Sequence, residues 1–157
     1  MADVFSKKKR SEVMSRIRSR GNAATELALA KLFRRNKITG WRRHFEIRGR
    51  AALPRRQSPA TEHRRPTNFR VRPDFVFRRA RLAVFVDGCF WHGCPRHATN
   101  PKNNRTFWRR KFSRNKKRDA LVTRALRRAG WRVVRIWECA LKKHPLNCVK
   151  RIQRAGK

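Results

Sequence analysis

The sequence predicts an α/β fold in which helices flank a small mixed β-sheet. Three observations carry that prediction. Residues 74–77, 82–86 and 131–137 are short runs rich in β-branched and aromatic residues, the signature of buried strands. Residues 23–37, 106–129 and 138–152 carry apolar side chains at helical spacing. The chain has 157 residues, 39% of them hydrophobic. That suffices for one domain with a real core and is short for two, so residues 1–157 read as a single domain.

Taken in order, residues 1–10 read as a basic arm. Val13, Met14 and Ile17 fall on one side of a short helix over 10–18. Gly21 interrupts it, and Asn22 is a candidate cap for the next helix. There Glu26, Leu29 and Phe33 lie three and four apart and share a face. Residues 41–47 (W-R-R-H-F-E-I) read as a strand. Residues 49–70 hold three of the seven prolines and many arginines with little periodicity, and read as an extended or flexible insertion. The runs 74–77 and 82–86, joined by R-R-A-R, read as a β-hairpin. A Gly-, Pro- and Asn-containing loop follows to residue 105. The helix over 106–129 draws its apolar side from Phe107, Phe112, Leu121, Val122, Ala125 and Leu126, and Gly130 ends it. A strand over 131–137 and a final helix, broken or started near Pro145, complete the chain.

Charge is the strongest bulk signal. Lys and Arg number 45 against 9 Asp and Glu, a formal net charge of +36. A compact chain of that charge repels itself, and a polyanion binds and stabilises it. Genomic base composition explains some of the arginine but not the scarcity of acids. No apolar run approaches the ~18 residues of a spanning helix. The basic N-terminus lacks the apolar segment of a secretory signal. The expectation is a cytosolic, nucleoid-associated protein with no membrane partner, whose cysteines are thiols or metal ligands.

Residues 71–97 concentrate the chemistry. If the hairpin forms, Asp74 begins one strand and Asp87 ends the other, so two carboxylates meet at one sheet end. Converging acids favour a divalent ion with oxygen ligands, such as Mg²⁺. The alternative is that each pairs with a neighbouring arginine. His92, five residues on, suits a general base, a zinc ligand or a phosphate contact. Cys89, Cys94 and His97 have the spacing C-x4-C-x2-H, and Cys139 after the last strand is the better fourth ligand for a closed zinc site than Cys148. The alternative is buried cysteines without metal. Phe90 and Trp91 inside this loop, and Trp108 early in the basic helix, are either core plugs or wedges between DNA bases. Glu26 is either an acid favoured by the helix N-terminus or part of a site.

With these residues laid out, the sequence resembles the very-short-patch repair (Vsr) DNA mismatch endonucleases. The resemblance runs through F-S-K-K-K-R-S-E-V-M-S-R-I-R-S-R-G-N-A-A-T-E-L-A-L, R-P-D-F-V-F, V-F-V-D-G-C-F-W-H-G-C-P, P-K-N-N-R-T-F-W-R-R-K-F-S-R-N-K-K-R-D and G-W-R-V-V-R-I-W-E-C-A-L. It implies a restriction-endonuclease-like fold of PD-(D/E)xK type with a zinc-stapled loop. It implies nicking of one strand 5′ to the thymine of a T:G mismatch, with catalytic Mg²⁺ and structural Zn²⁺. By position it makes Asp74 the catalytic metal ligand, Val86 a ligand through its backbone carbonyl, His92 the catalytic histidine and Glu26 an assisting acid. Phe90, Trp91 and Trp108 match the aromatics that wedge into DNA. Cys89, Cys94 and Cys139 match zinc positions, with His97 the fourth. Asp87 stands where the family pattern has His, which makes it a candidate second Mg²⁺ ligand. The 49–70 insertion has no counterpart in the pattern. The implied partner is mismatched double-stranded DNA, bound by a monomer, in the company of mismatch-repair proteins or a cytosine methyltransferase. Two rivals remain at this level. One is a nuclease of the same fold acting on other mismatched, branched or modified DNA. The other is a zinc-containing DNA-binding protein without activity, which leaves Asp74, Asp87 and His92 unexplained.

Overall fold

The computed structural model describes residue 12 and residues 23–51, 67–97, 101 and 103–157. The expected basic arm and the helix over 10–18 lie outside these residues, Glu12 apart.

Strand β5 (Leu82–Asp87) occupies the middle of a four-stranded sheet. Its run L-A-V-F-V-D has no exposed residue, as a strand covered on both faces requires. The order is β1 (Trp41–Arg43), β4 (Phe75–Phe77), β5, β6 (Arg132–Trp137). The first three strands are antiparallel, with Trp41 opposite Phe77 and Phe75 opposite Val84. β6 is parallel to β5, with Val84 opposite Val134 and Asp87 opposite Trp137. The crossover between them is helix α2 (Arg105–Arg128), of the length a parallel connection needs.

One face of the sheet packs Phe75, Leu82, Val84, Val86, Val134 and Ile136 against helices α1 (Ala28–Arg35), α3 (Glu138–Lys143) and α4 (Pro145–Gly156). Leu29 and Phe33 of α1 are fully buried there, and Phe33 meets Phe75 edge-on at 5.1 Å between ring centres. The other face packs Val76 and Ala83 against Leu126 of α2 and against Ile47 and Val71 of a separate two-stranded ribbon, β2 (Ile47–Ala51) with β3 (Thr67–Val71). The alternation that sends Val84, Val86, Val134 and Ile136 to the first face sends Asp87 and Arg135 to the α2 side.

Several expectations change. The strand over 41–47 is two strands, because His44 adopts a left-handed backbone (φ 51°) that breaks the ladder. The stretch 49–70 starts and ends in strand, with Gly49 opposite Phe69. Its arginines and glycine masked that pairing, since a ribbon needs apolar residues on one face only. Residues 52–66 lie outside the described residues. A π-helical turn, Ala23–Leu27, precedes α1. On α2, Leu126 is the buried apolar residue, while Phe107 and Leu121 are 56% and 62% exposed. The last helix is broken just before Pro145, as expected, and Pro145 occupies the first turn of α4, where its missing N–H costs nothing. Gly130 (φ 78°) ends α2 as expected, and Arg81 at the hairpin turn donates from Nη2 to the Ala129 carbonyl at 2.7 Å. No helix among the described residues is long and apolar enough to cross a membrane.

Candidate active site and metal centre

The hairpin brings Asp74 and Asp87 to one end of the sheet. Asp74 Oδ2 accepts a hydrogen bond from the Val86 amide at 2.7 Å, which ties the carboxylate to the neighbouring strand. Glu26, 5% exposed, reaches the same place from the π-helical turn. Ligand atoms of Glu26, His44 and Asp74 lie within 4.8 Å of one another. Glu26 Oε2 accepts from Arg43 Nη2 at 2.9 Å and lies 2.9 Å from His44 Nε2. The Asp74 carboxyl is pushed up from its ordinary 3.8 to about 6, by burial first and then by the charges of Glu26 and Asp87, against the Val86 hydrogen bond that lowers it. Acids crowded to this degree are the donor set of a hard cation.

Asp87 takes a different partner. Arg135 donates to it from Nε at 2.8 Å and from Nη2 at 2.5 Å, a two-pronged pairing. The arginine alternative left open by the sequence is therefore the one that forms at Asp87, because alternation on the parallel strand β6 puts Arg135 on the same side. Asp87 belongs to a second group with His92 and Asp119, again within 4.8 Å. His92 Nδ1 lies 2.6 Å from Asp119 Oδ2 and 3.6 Å from Asp87 Oδ1. A carboxylate partner puts the proton on Nδ1 and leaves Nε2 as the basic nitrogen. Arg135 Nη2 also reaches Asp119 at 3.2 Å, so one guanidinium braces both acids.

Both groups open on one cleft of about 610 Å³, lined among others by Glu26, Asp74, Val86, Asp87, His92 and Asp119. Arg70, Arg72, Lys111 and Arg118 stand around it, so an anionic chain is drawn toward the acids rather than repelled.

The cysteine cluster is distinct. Cys89, Cys94, His97 and Cys139 bring one ligand atom each within 4.8 Å, although Cys139 sits in α3, far along the chain. Cys94 Sγ lies 3.8 Å from Cys139 Sγ and 3.7 Å from His97 Nδ1. Metal–sulfur bonds of ~2.3 Å in a tetrahedron give sulfur–sulfur edges of about 3.8 Å. Three thiols and an imidazole at that spacing suit a tetrahedral metal with no open position. Burial raises the Cys94 thiol, but hydrogen bonds from the His97 side chain and the Arg96 and His97 backbone outweigh it and bring it to about 6.

The loop between those ligands carries the aromatics. Phe90 packs edge-on against Trp91 (5.0 Å), Trp108 (5.2 Å) and Phe112 (5.4 Å), and Phe107 joins through Trp108 (5.3 Å). Asn115 donates from Nδ2 to the Trp91 carbonyl at 2.8 Å and ties the loop to α2. Gly93 adopts a left-handed backbone (φ 63°), which strains any residue with a side chain, whereas the nearby Lys116 tip could move aside.

Of the site residues singled out in the sequence, Glu26, Asp74, Val86, Asp87, His92 and Trp91 line the cleft. Asp119 and Arg135, which also line it, and His44, grouped with Glu26 and Asp74, were not singled out. Asp119 is the lone acid of the 24-residue α2, and Arg135 is a charge within V-V-R-I-W. Either anomaly could have marked it. His44 had no signal, because its place depends on the strand break.

The chain belongs to the Vsr family of DNA mismatch endonucleases. The family model described as DNA mismatch endonuclease Vsr matches residues 63–98. The DNA mismatch endonuclease Vsr of Escherichia coli is 36% identical over 143 residues, covering 90% of this chain and 77% of that protein. The type II nicking enzyme V.XorIIP of Xanthomonas oryzae pv. oryzae is 34% identical over 143 residues, covering 90% and 88%. The type II nicking enzyme V.NaeI of Lentzea aerocolonigenes is 51% identical over 69 residues. That match spans 44% of this chain and 42% of the Lentzea enzyme, and a match to the Neisseria meningitidis enzyme V.NmeDIP spans 58% of that protein.

Proposed function

We propose that the protein is a Mg²⁺-dependent endonuclease that nicks one DNA strand 5′ of the thymine of a T:G mismatch. The observation that carries this reading is the single cleft in which Asp74 and Glu26 face the His92–Asp119 pair within an arginine and lysine rim. Family membership and relatives named as nicking enzymes support it. The fold under this reading is restriction-endonuclease-like, one domain over residues 1–157, acting as a monomer in the cytoplasm on the nucleoid.

Asp74 and the Val86 carbonyl would hold Mg²⁺, with Glu26 beside them. When bound, Mg²⁺ offsets the charge that builds on the phosphate in transit. Asp87, paired with Arg135, fixes the charge around His92. His92 takes the proton of the attacking water at Nε2 while Asp119 accepts a hydrogen bond from Nδ1, which orients the ring. Arg70, Arg72, Lys111 and Arg118 hold the strand's phosphates. Trp91, which lines the cleft, and Phe90 and Trp108, packed against it, would wedge beside the mismatch. Cys89, Cys94, His97 and Cys139 would hold Zn²⁺, and that staple keeps His92 and the aromatics in one rigid loop.

Asp74→Ala tests the reading. It abolishes nicking of a T:G duplex and leaves duplex binding nearly intact. Preserved nicking sinks the assignment.

A further inference from the structure

The β2–β3 ribbon has two unlike faces. Ile47 and Val71 sit opposite one another and turn inward with Phe69. Gly49, opposite Phe69, makes room for its ring: a Cβ there would lie 2.8 Å from two ring carbons. The alternate positions, Arg48, Arg50, Asn68 and Arg70, are all exposed. Arg48 and Arg70 are direct cross-strand partners, 68% and 69% exposed at the side chain. Like charges so placed destabilise a ribbon.

One acid offsets them. Glu46 pairs with Arg48, with Arg72 at 2.8 Å and with Arg70 at 3.7 Å. The carboxylate gathers three guanidinium groups into an ordered row. Arg70 and Arg72 also line the cleft, so the row is continuous with the site. The inward face anchors the ribbon on the sheet, and the outward face is an arginine plate beside the cleft.

A two-stranded ribbon fits the major groove of B-DNA, and the arginine fork matches the O6 and N7 acceptors of guanine. Ribbons that keep one face on their own core and turn the other to the bases are an established docking geometry. We infer that the outer face of β2–β3 lies in the major groove of the substrate duplex beside the cleft, with Arg48 and Arg50 contacting guanines there. The ribbon then reads the sequence flanking the cut. This inference rests on duplex DNA being the ligand of the cleft.

The test uses the full chain and T:G duplexes that differ in the G·C or A·T pairs flanking the mismatch. Guanine N7 methylation by dimethyl sulfate reports major-groove contact, and fluorescence anisotropy reports affinity. Wild type protects guanines on one side of the mismatch and prefers its best flank by about 5- to 150-fold, the discrimination expected of a bidentate contact. R48Q/R50Q loses the protection and the preference. R48K/R50K keeps the charge, so it keeps most of the affinity but still loses both. Retention of preference in the Lys variant, or a uniform loss across all flanks in the Gln variant without guanine protection in wild type, overturns the inference in favour of phosphate tracking. No effect of either variant overturns it outright. Protection without nicking by wild type faults the endonuclease reading and leaves the ribbon's role standing. No duplex binding at all overturns both.

Discussion

Asp74→Asn should make the protein more stable while removing its activity. The Asp74 carboxyl is raised from 3.8 to about 6 in the folded protein, by burial and then by facing Glu26 and Asp87. The folded form therefore holds this proton more tightly than the unfolded chain does. Its ionisation costs nothing below the unfolded value and costs stability progressively as pH rises through about 6. Roughly two pH units at about 1.4 kcal/mol each set an upper limit of ~3 kcal/mol at neutral pH. Solvent screening at the cleft mouth reduces that to about 1–2 kcal/mol. Asparagine keeps an oxygen for the Val86 amide and discards the charge. For a chain of this size the gain is about 2–8 °C in Tm. The assay is thermal unfolding of both proteins in buffer without Mg²⁺ and without chelator, which leaves the cysteine site undisturbed. Near neutral pH the variant melts higher, and by about pH 4 the gap closes because Asp74 is then protonated. Added Mg²⁺ raises the wild type alone. A variant that melts lower near neutral pH, or a gap that persists into acid, refutes the crowded-carboxylate account.

The remaining predictions concern other parts of the molecule. Asp119→Asn, which leaves His92 without its carboxylate anchor, should slow single-turnover nicking by about 10²–10⁴-fold with duplex affinity nearly unchanged. A loss under about threefold removes Asp119 from the mechanism. Purified protein should contain about one equivalent of zinc by elemental analysis, and Cys89→Ser should lower both zinc content and Tm. Zinc-free protein of unchanged stability refutes the staple. Phe33→Ala, which removes a fully buried ring packed on Phe75, Phe77 and Trp41, should cost about 3–5 kcal/mol in denaturant unfolding.

The parts of the fold that sequence made legible are those with a strict local period. The β4–β5 hairpin was readable because both strands are buried on both faces and R-R-A-R is too polar to continue either. From it followed the meeting of Asp74 and Asp87. The gathering of Cys139 with Cys89, Cys94 and His97 was also legible, since a strand ending in W-E-C returns to the same sheet end. The ribbon was not legible, because Arg48, Arg50 and Arg70 outweigh Ile47, Phe69 and Val71 in any window average. The Asp119–His92 pair required a contact 27 residues apart, between a helix and a loop, that no spacing rule supplies. The fate of Asp87 depended on which face of β6 carried Arg135, and the parallel register decides that.

The most direct measurement of the central claim is strand-specific nicking of an end-labelled duplex carrying one T:G pair, beside a fully paired control, with and without Mg²⁺. The account predicts a single Mg²⁺-dependent nick 5′ of the mismatched thymine in that strand alone, absent from the control and from Asp74→Ala. No cleavage with Mg²⁺ or Mn²⁺, or equal cleavage of the paired control, contradicts it.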